Sequence, residues 1–506
     1  MSTAQVEATD GEQSAPVIST VAGTVGAGSK EDNEPAVKVE LNGPYGIAVD
    51  HTGTLYFSEY SSHRVRKVTT DGKISTVVGN GVAGSRGDKG LAVSAQLNYP
   101  REVAVDSAGA VYIADGNNHR IRKITADGKI DTVAGTTAGC SGDGGPATAA
   151  QFNLPLGVAV DSTGALYVAD YYNNLIRKIT TDGKISTFVG NGSAGDGGPE
   201  VSAQLKNPHS VAVDGAGNLY IADSGNHRVL KVAADGKIST VAGIVGSAGS
   251  GGDGGPAASA QLNSPLGVVV DSAGDLYIAD SGNHRVLKVA ADGKISTVAG
   301  IVGSAGSGGD GGPAASAQLK NPRGLAVDCV DTLYIADHVD NRVRRVASAR
   351  MAGLPDSGTV VSLANVRSRL RMGVLRESTK DGAEIHQALA VPRDHQRWRL
   401  VAAGQDNGGI LYRIENVRSG KVLEVVGAGV AAGAVVAQRV YEGVDARHQQ
   451  WRLIPVGSVA DTPRVYEIAN RNSGLLLRVD TNAPTVIKQY GAQGDHRDRQ
   501  WQLLPV

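Results

Sequence analysis

Val17-Ile-Ser-Thr-Val-Ala-Gly23 is a short strand-like segment near the N-terminus that recurs later in the chain. Its later copies each close a long repeat, and they span Lys73–Gly79, Lys184–Gly190, Lys237–Gly243 and Lys294–Gly300. The first copy has no repeat before it. The last repeat, which ends near Arg345 and Val346, has no copy after it. A chain that begins with the piece missing from its own end predicts a closed ring.

The repeats share one pattern, in which a proline and a short apolar strand ending in Asp precede a Leu-Tyr-Ile-Ala-Asp segment or a close variant. The anchoring prolines are Pro44, Pro100, Pro155, Pro208, Pro265 and Pro322. A fixed period of 53 to 57 residues between these prolines indicates a propeller or a solenoid.

Each repeat contains four short β-branched segments separated by Gly, Asp or Asn turns. In the second repeat they are Val103–Asp106, Val111–Asp115, Arg120–Ile124 and Ile130–Ala134. Four antiparallel strands per repeat are typical of a propeller blade. Two blades are identical over 43 residues, Tyr220–Leu262 and Tyr277–Leu319, which suggests that both serve as scaffold.

We therefore predict an all-β fold with a six-bladed β-propeller over residues 17–347. The strand Val17–Gly23 should pair beside Arg342–Val346 in the sixth blade, because this removes an exposed edge and opposes opening of the ring. An open solenoid, the alternative, would not need the early strand. We expect residues 1–16 to form a disordered tail and residues 348–358 to form a linker.

Polar residues recur in every repeat, and we interpret them as structural. We expect hairpin contacts, either Asp–Arg or Asp–backbone, to explain the aspartates that end the second strand and the arginines that begin the third; these are Asp115, Asp170, Asp223, Asp280 and Asp337, and Arg120, Arg177, Arg228, Arg285 and Arg342. The turn histidines His63, His119, His227 and His284 should be hydrogen-bonding groups, not metal ligands. The Gly-Asp-Gly-Gly-Pro loops, such as Gly142–Pro146 and Gly195–Pro199, each carry one carboxylate, too few for a calcium site.

The repeats resemble the NHL-repeat family, which is named for an Asn-His-Leu signature. Asn118-His119-Arg120, Asn226-His227-Arg228 and Asn283-His284-Arg285 stand at that place. Two blades depart from the signature at the histidine, in Asn174-Leu175 and Asn341-Arg342. The resemblance covers about residues 17–347 and implies the propeller fold.

The composition changes after Arg350, and all three tryptophans lie beyond it. They end three units spaced by 53 and 50 residues, at Trp398, Trp451 and Trp501. Three units of this length, each with one buried Trp, predict a β-trefoil over residues 359–506. Gln396-x-Trp398 and Gln449-x-Trp451 resemble the Gln-x-Trp mark of the ricin-B-type lectin family, whereas the third unit has Arg499 at the Gln position.

The lectin resemblance implies a carbohydrate pocket in each unit, and the middle unit matches best. It offers Glu424 for the usual aspartate, followed by Gln438, Tyr441 and His448, although Arg439 stands where an aromatic residue is usual. The third unit ranks second, with Gln489 and Tyr490, but Arg478 replaces the carboxylate. The first unit has Arg371 there and is expected to be inactive. The alternative is a packing or docking domain that kept the fold and lost the ligand.

The mouth of the propeller channel is the second place where a ligand could bind, because the turns entering the innermost strands converge there. The residues after the anchoring prolines are not uniform among the blades. We expect Tyr45, Arg101, Glu102, His209 and Arg323 to lie near one axis and to form a small-ligand or peptide site.

Two classes of function remain open. In the first, the protein recognises ligands: the propeller is a ligand- or protein-binding scaffold, and the trefoil binds a glycan or a cell-surface polysaccharide. In the second, the propeller is a lyase or hydrolase that the lectin domain delivers to its substrate. Glu102 and His209 are the candidate catalytic residues, because propellers of the streptogramin-lyase type use His and Glu around the channel. Pro208-His209-Ser210 also resembles a metal position of amidating lyases, but the other blades leave a zinc set incomplete, so we predict no metal and no cofactor.

The composition limits the partners. The 506 residues carry 49 Lys and Arg against 50 Asp and Glu, so no electrostatic footprint for nucleic acid is present. No apolar run is long enough to span a membrane, and the first sixteen residues do not resemble a signal peptide. We expect a cytoplasmic monomer with free thiols at Cys140 and Cys329, and we leave export by another route open.

Overall fold

The structure is a computed structural model of the 506-residue chain. The residues it describes are 15–28, 32–50, 53–69, 72–125, 127–190, 203–271, 273–328, 331–347, 357–365, 370–388, 394–406, 409–428, 434–443, 446–456, 465–473, 476–479, 487–490 and 500–505. The expected tail (except residues 15 and 16), the expected linker (except residues 357 and 358), the loop Gly195–Pro199 and Cys329 lie outside these residues. Cys140 is exposed and free.

The N-terminal part is a six-bladed β-propeller, as the repeats predict. After the N-terminal strand β1 (Val17–Ala22), the first three blades contain β2 (Pro44–Val49), β3 (Leu55–Glu59), β4 (Arg64–Val68), β5 (Ile74–Val78); β6 (Pro100–Val105), β7 (Val111–Asp115), β8 (Arg120–Ile124), β9 (Ile130–Ala134); β10 (Pro155–Val160), β11 (Leu166–Asp170), β12 (Leu175–Ile179) and β13 (Ile185–Val189). The other three contain β14 (Pro208–Val213), β15 (Leu219–Asp223), β16 (Arg228–Val232), β17 (Ile238–Ala242); β18 (Pro265–Val270), β19 (Leu276–Asp280), β20 (Arg285–Val289), β21 (Ile295–Ala299); β22 (Pro322–Val327), β23 (Leu333–Asp337) and β24 (Arg342–Ala347).

Short 3-10 turns join these strands, and the described residues contain no α-helix. One set precedes the innermost strands: Ala36–Lys38, Ala92–Ser94, Ala147–Ala149, Ala257–Ser259 and Ala314–Ser316. A second set follows the second strand of each blade: Tyr60–Ser62, Gly116–Asn118, Tyr171–Asn173, Ser224–Asn226, Ser281–Asn283 and His338–Asp340. The innermost strands surround the channel. Both sets of turns lie where consecutive blades meet.

The N-terminal strand closes the ring in the predicted place. β1 pairs antiparallel with β24, with Ile18 opposite Val346. Ile18 is fully buried in a cluster that also contains residues of the fifth blade. The Thr20 hydroxyl donates to Asp310 over 2.6 Å, the bond that the corresponding Thr132 makes to Asp88 in the second blade. The fourth strand of the last blade is thus supplied by the opposite end of the propeller sequence.

The signature histidines join each blade to the next. Each of His63, His119, His227 and His284 has a positive φ, and its Nδ1 accepts a backbone N–H from the loop that enters the following blade. Where the histidine is missing, Oδ1 of Asn174 and Asn341 accepts the equivalent N–H at 2.7 and 3.0 Å. The predicted hydrogen-bonding role is therefore observed, and the two Asn substitutions preserve it. The bond from Gly43 to Asn341 joins the first blade to the last.

Buried aspartates contact arginines inside the blades, but the arginine position varies. Asp223 and Asp280 bond to the first residue of the third strand, Arg228 and Arg285, at 2.7 and 2.8 Å. In the second blade the aspartate makes the expected backbone contact but does not pair with Arg120: Asp115 accepts the Asn98 N–H at 2.8 Å and pairs with the third residue of the strand, Arg122, at 3.3 Å.

The sixth blade departs in the same way. Asp337 lies 3.7 Å from Arg344, whereas Arg342 bonds through Nε to Asp340 over 2.5 Å. In the second and sixth blades, the arginine that reaches the core aspartate is therefore the third residue of the strand and not the first.

Among the described Gly-Asp-Gly-Gly-Pro loops, the single carboxylate has a structural partner. Asp143 accepts from Arg177 at 2.5 Å and from the Thr187 hydroxyl at 2.6 Å. Gly142 and Gly144 flank it with φ of +108° and +78°, a conformation that favours glycine. The loop therefore fastens the outer strands of the blade that follows it.

The C-terminal part is a β-trefoil of three related units. Its strands are β25 (Thr359–Asn365), β26 (Arg371–Val374), β27 (Ala383–Ala388), β28 (Trp398–Asp406), β29 (Gly409–Asn416), β30 (Val422–Val425), β31 (Val436–Arg439), β32 (Trp451–Val456), β33 (Val465–Asn470), β34 (Leu476–Val479), β35 (Ile487–Tyr490) and β36 (Gln500–Pro505). Its 3-10 turns are Leu375–Glu377, Asp394–Gln396, Val426–Ala428 and Arg447–Gln449. Strands β25, β28, β29, β32, β33 and β36 pair in a closed cycle, and the hairpins β26–β27, β30–β31 and β34–β35 complete the three units.

The three tryptophans fill the trefoil core with threefold regularity. Trp398, Trp451 and Trp501 are fully buried, and each indole Nε1 donates to a backbone carbonyl in the hairpin of its own unit, at 3.0, 2.9 and 3.0 Å. Buried indole N–H groups require such an acceptor, so these bonds fix the hairpins against the barrel. No helix in the described part of the chain is both long and apolar enough to cross a membrane.

Candidate functional site

The propeller mouth is built where the innermost strands approach each other most closely. A Cβ added to Gly46 would lie 2.4 Å from Cα of Glu102, and one added to Gly267 would lie 1.9 Å from the Arg323 carbonyl oxygen. Glycine at these positions therefore permits the narrow ring. The narrowing brings side chains from blades on opposite sides of the axis into direct contact.

Tyr45 and His209 form a bridge across the mouth between the first and fourth blades. The Tyr45 hydroxyl lies 2.6 Å from Nε2 of His209, and Nδ1 of His209 lies 2.7 Å from the Leu266 carbonyl oxygen. Because a carbonyl only accepts, Nδ1 carries the proton and Nε2 accepts from Tyr45. Both residues are buried, with 2 % and 5 % of their surfaces exposed.

Two arginines lie against this bridge. The Cζ atoms of Arg101 and Arg323 are 4.9 and 4.5 Å from the centroid of the Tyr45 ring, within cation–π range. Arg101 also donates through Nη1 to the Tyr45 hydroxyl over 3.0 Å, and Nε of Arg323 donates to Asn321. Neither guanidinium forms a salt bridge within the described residues. The mouth therefore carries two positive charges that no carboxylate in the described part of the chain compensates.

A second set of aromatic residues surrounds the bridge, and the sequence analysis missed it. Tyr60, Tyr171 and His338 all occupy the first position of the 3-10 turn after the second strand. Tyr60 stacks on Tyr45 with centroids 5.7 Å apart, and Tyr171 meets His209 edge-on at 6.3 Å. The signal was present, because the other three blades have Gly or Ser at this position.

The two histidines of the mouth are held in the neutral form. Burial, followed by the charges of Arg323 and Arg101, lowers the pKa of His209 to about 3. Burial and Arg323 also lower the pKa of His338 to about 4, against the hydrogen bond of its Nδ1 to the Pro44 carbonyl. The positive charge of the mouth at neutral pH therefore comes from the arginines.

Glu102 is separated from the other predicted mouth residues. It lines the channel, a cavity of about 190 Å³, together with Ser210 and aliphatic side chains, whereas the lining excludes Tyr45 and His209. Burial raises the pKa of Glu102 to about 8, although the Ser210 hydroxyl and the Ile47 backbone N–H both bond to it. The structure thus groups four of the five predicted residues, Tyr45, Arg101, His209 and Arg323, and places Glu102 in the channel.

The middle unit of the trefoil holds the second candidate site, around Glu424. This carboxylate is 2 % exposed and accepts from Nε of Arg439 at 2.6 Å and from Nε2 of Gln449 at 3.1 Å. His448 Nε2 lies 3.6 Å from Glu424 and 3.7 Å from Glu442. Arg439, at the place where an aromatic residue is usual, therefore pairs directly with the predicted pocket carboxylate.

The remaining residues of the predicted middle pocket have different surroundings. Tyr441 is partly buried, and the Arg413 guanidinium lies 4.8 Å from its ring centroid. Gln438 is fully buried, accepts from the Ser419 hydroxyl at 2.7 Å, and donates to the Ser378 and Lys380 carbonyls. Its amide atoms are thus engaged in holding two loops together.

The other two units were ranked lower, and the structure describes them in part. Gln489 and Tyr490 lie on β35 and Arg478 lies on β34, but their side chains are outside the described residues. Arg371 begins β26 in the first unit.

One group of potential metal ligands was not predicted. Ligand atoms of Glu424, Glu442 and His448 lie within 4.8 Å of one another. Because the Glu424 carboxylate already bonds to the Arg439 guanidinium, ion pairing accounts for its charge. We therefore assign no metal ion to these three residues.

Sequence and structure comparisons relate the chain to several known proteins. The virginiamycin B lyase family matches residues 28–243, the NHL repeat matches residues 262–289, and the ricin-type β-trefoil lectin domain matches residues 350–439. Teneurin-1 of Gallus gallus is 29% identical over 427 aligned residues, which cover 76% of this chain but 15% of the teneurin. Teneurin-m of Drosophila melanogaster is 26% identical and covers 62% of the chain and 12% of its own length. The chain thus spans less than a fifth of these relatives.

The solved structures include a Bacteroides thetaiotaomicron protein of unknown function. It is 21% identical, covers 66% of this chain and 76% of its own chain, and superposes with a TM-score of 0.50. This likeness concerns the propeller fold alone.

Proposed function

The chain joins an NHL-repeat β-propeller to a ricin-B-type β-trefoil, and from this premise we propose that it is a recognition protein that binds glycans through the trefoil and a further ligand through the propeller mouth. The observation that carries the proposal is the buried Glu424 carboxylate, which Arg439 and Gln449 orient and which lies 3.6 Å from Nε2 of the partly exposed His448.

The chemistry of this pocket suits sugar hydroxyl groups. A carboxylate accepts hydrogen bonds from hydroxyls, and the His448 imidazole beside it offers a further polar atom to a sugar hydroxyl. A held carboxylate loses little side-chain entropy when the ligand binds, since its orientation is already fixed by two donors. Two weak sites on one chain also gain avidity on a multivalent surface such as a polysaccharide.

A glycan array tests the trefoil site with the full chain. We expect the unmodified protein to bind a defined set of glycans and the Glu424→Gln variant to lose at least tenfold in affinity for them. Glu384→Gln is the matched control, because Glu384 is an exposed carboxylate on β27, outside the pocket. A blank array, or equal binding by Glu424→Gln, would contradict the proposal.

The alternative is a lyase, and two observations favour it as the second candidate. The virginiamycin B lyase family matches residues 28–243, and burial raises the pKa of Glu102 to about 8, the direction that a general acid requires. Against it, both ring nitrogens of His209 are already bonded, to Tyr45 and to Leu266.

Mass spectrometry separates the two candidates. The full chain is incubated with virginiamycin B, and the recognition proposal expects the substrate to remain intact. A cleaved product that disappears with Glu102→Gln and His209→Ala would replace recognition by catalysis as the function of the propeller.

A further inference from the structure

The arginines of the mouth differ from the buried arginines elsewhere in the propeller. Arg66, Arg122, Arg177 and Arg344 each contact at least one carboxylate within 3.0 Å, and they hold blades together. Arg101 and Arg323 have as polar partners a tyrosine hydroxyl and an asparagine amide oxygen, both neutral. Two guanidinium groups without a carboxylate partner in one partly exposed cluster lower the stability of the unliganded fold. They therefore indicate an anionic ligand.

The geometry favours a carboxylate as this anion. Both guanidinium carbons lie within 5 Å of one ring, that of Tyr45, at 4.9 and 4.5 Å from its centroid. The planar fork of arginine matches the two oxygens of a carboxylate through parallel hydrogen bonds. The histidines beside them are neutral, so the arginines supply the positive charge of the mouth.

The rim adds a surface for the rest of the ligand. Tyr60 and Tyr99 lie with ring centroids 4.6 Å apart, and Tyr171 and Tyr172 lie 5.0 Å apart, with Tyr172 58 % exposed. Rings of this kind pack against the apolar C–H face of a sugar while their hydroxyls reach its polar groups. Guanidinium groups and tyrosine rings around one mouth together suit a sugar acid, which has both a carboxylate and an apolar C–H face.

We propose that the propeller mouth binds an acidic saccharide, with a uronate carboxylate held by Arg101 and Arg323 and the sugar ring against the tyrosines of the rim. This site deepens the proposed recognition function and rests on it. It would give the chain one glycan site in each domain, with different charge preferences.

Isothermal titration calorimetry with the full chain tests the site. The probes are an oligogalacturonate, a neutral galactose oligosaccharide of equal length, and inorganic phosphate. We expect the oligogalacturonate to bind, the neutral oligosaccharide to bind at least tenfold more weakly to the mouth, and phosphate not to compete at equal concentration.

The variants locate the binding. Arg101→Gln with Arg323→Gln should weaken oligogalacturonate binding at least tenfold, whereas Lys184→Gln with Lys237→Gln, an equal loss of charge at exposed positions, should leave it unchanged. Glu424→Gln should also leave it unchanged. Arg323→Lys keeps the charge but loses the planar fork of the guanidinium. Its affinity for oligogalacturonate should lie between those of the unmodified protein and the double arginine variant. This variant also tests the site if the double variant does not fold.

The possible failures are distinguishable. Binding of the neutral oligosaccharide that equals that of the oligogalacturonate and is weakened by the double arginine variant, competition by phosphate, no binding of oligogalacturonate, or a loss that follows Glu424→Gln instead of the arginines would each overturn the mouth site. Glycan binding that depends on Glu424 would survive any of these results, and only a blank glycan array would remove both proposals.

Discussion

The Tyr45 hydroxyl donates to Nε2 of His209 over 2.6 Å, and this bond joins the first blade to the fourth across the propeller axis. The two residues are 164 positions apart in the sequence. Their rings are nearly parallel, with an interplanar angle of 17°. The bridge orders the mouth before any ligand arrives, because it fixes the ring against which both arginines lie.

Replacing Tyr45 by Phe should lower the free energy of unfolding of the propeller by about 1–3 kcal/mol, since Nε2 of the buried His209 would lose its donor. Denaturant unfolding followed by fluorescence or circular dichroism measures the shift in midpoint. The control is Tyr172→Phe, in which an exposed hydroxyl is removed, and it should change the stability by less than about 0.5 kcal/mol. Equal midpoints for the two variants would contradict a structural role for the bridge.

Glu102 should make the propeller less stable as the pH rises. Its pKa is about 8 in the folded chain and near the ordinary 4.5 in the unfolded chain, so folding takes up a proton between these values. The stability contribution is complete below pH 4.5 and is lost as the pH approaches 8, at up to about 1.4 kcal/mol per pH unit.

The glutamine variant isolates this effect from other titrating groups. Glu102→Gln keeps the shape of the neutral acid and has no proton to lose. Unfolding midpoints measured from pH 5 to 8 should therefore fall more steeply for the unmodified protein than for the variant. Parallel profiles would show that Glu102 is ionised in the folded state.

Closure of the ring should depend on the first strand. Ile18→Ala removes a fully buried side chain from the interface of β1 with the last two blades, and it should destabilise the propeller by about 2–5 kcal/mol. Val17→Ala is the matched control, because Val17 is 41% exposed on the same strand. Deletion of residues 1–23 should destabilise the propeller further while the trefoil transition stays in place. An unchanged propeller transition after the deletion would mean that β1 does not close the ring.

The histidine that joins two blades should be replaceable by asparagine but not by alanine. Nδ1 of His119 accepts the Leu154 N–H at 3.2 Å, and Asn174 makes the equivalent bond one blade later. His119→Asn should leave the unfolding midpoint nearly unchanged, since Asn tolerates the positive φ of +55°. His119→Ala should cost about 1–3 kcal/mol because it leaves a backbone donor without its acceptor. Equal losses for the two variants would assign the effect to packing of the imidazole instead.

The repeats predicted the propeller well because blade strands are local structures that each sequence unit specifies. The pairing of β1 with β24 also followed from the sequence, since the missing piece of the last repeat was recognisable as a copy. The arginine partners were less predictable. Arg120 and Arg122 stand on the same strand, and only the twist and packing of the blade decide which one reaches Asp115.

The mouth illustrates the same limit. Unequal residues after the anchoring prolines indicated Tyr45, Arg101, His209 and Arg323, and these four do meet. Tyr60 and His338 were missed because they lie on the turns after the second strands. Tyr60 contacts Tyr45 from within the same blade, whereas His338 reaches Tyr45 from the last blade. Glu102 was grouped with the mouth, but the strand directs its side chain into the channel.

The sequence by itself determined the number of blades, the closing strand and the three tryptophan-centred units, because repetition and strand periodicity are properties of the chain alone. The tertiary structure decided which charges are compensated. Arg122 and Arg101 look alike in the sequence, yet Arg122 lies beside two aspartates and Arg101 beside tyrosine rings. Whether a charge has a partner depends on distances between residues far apart in the chain, and those distances are set only when the ring closes.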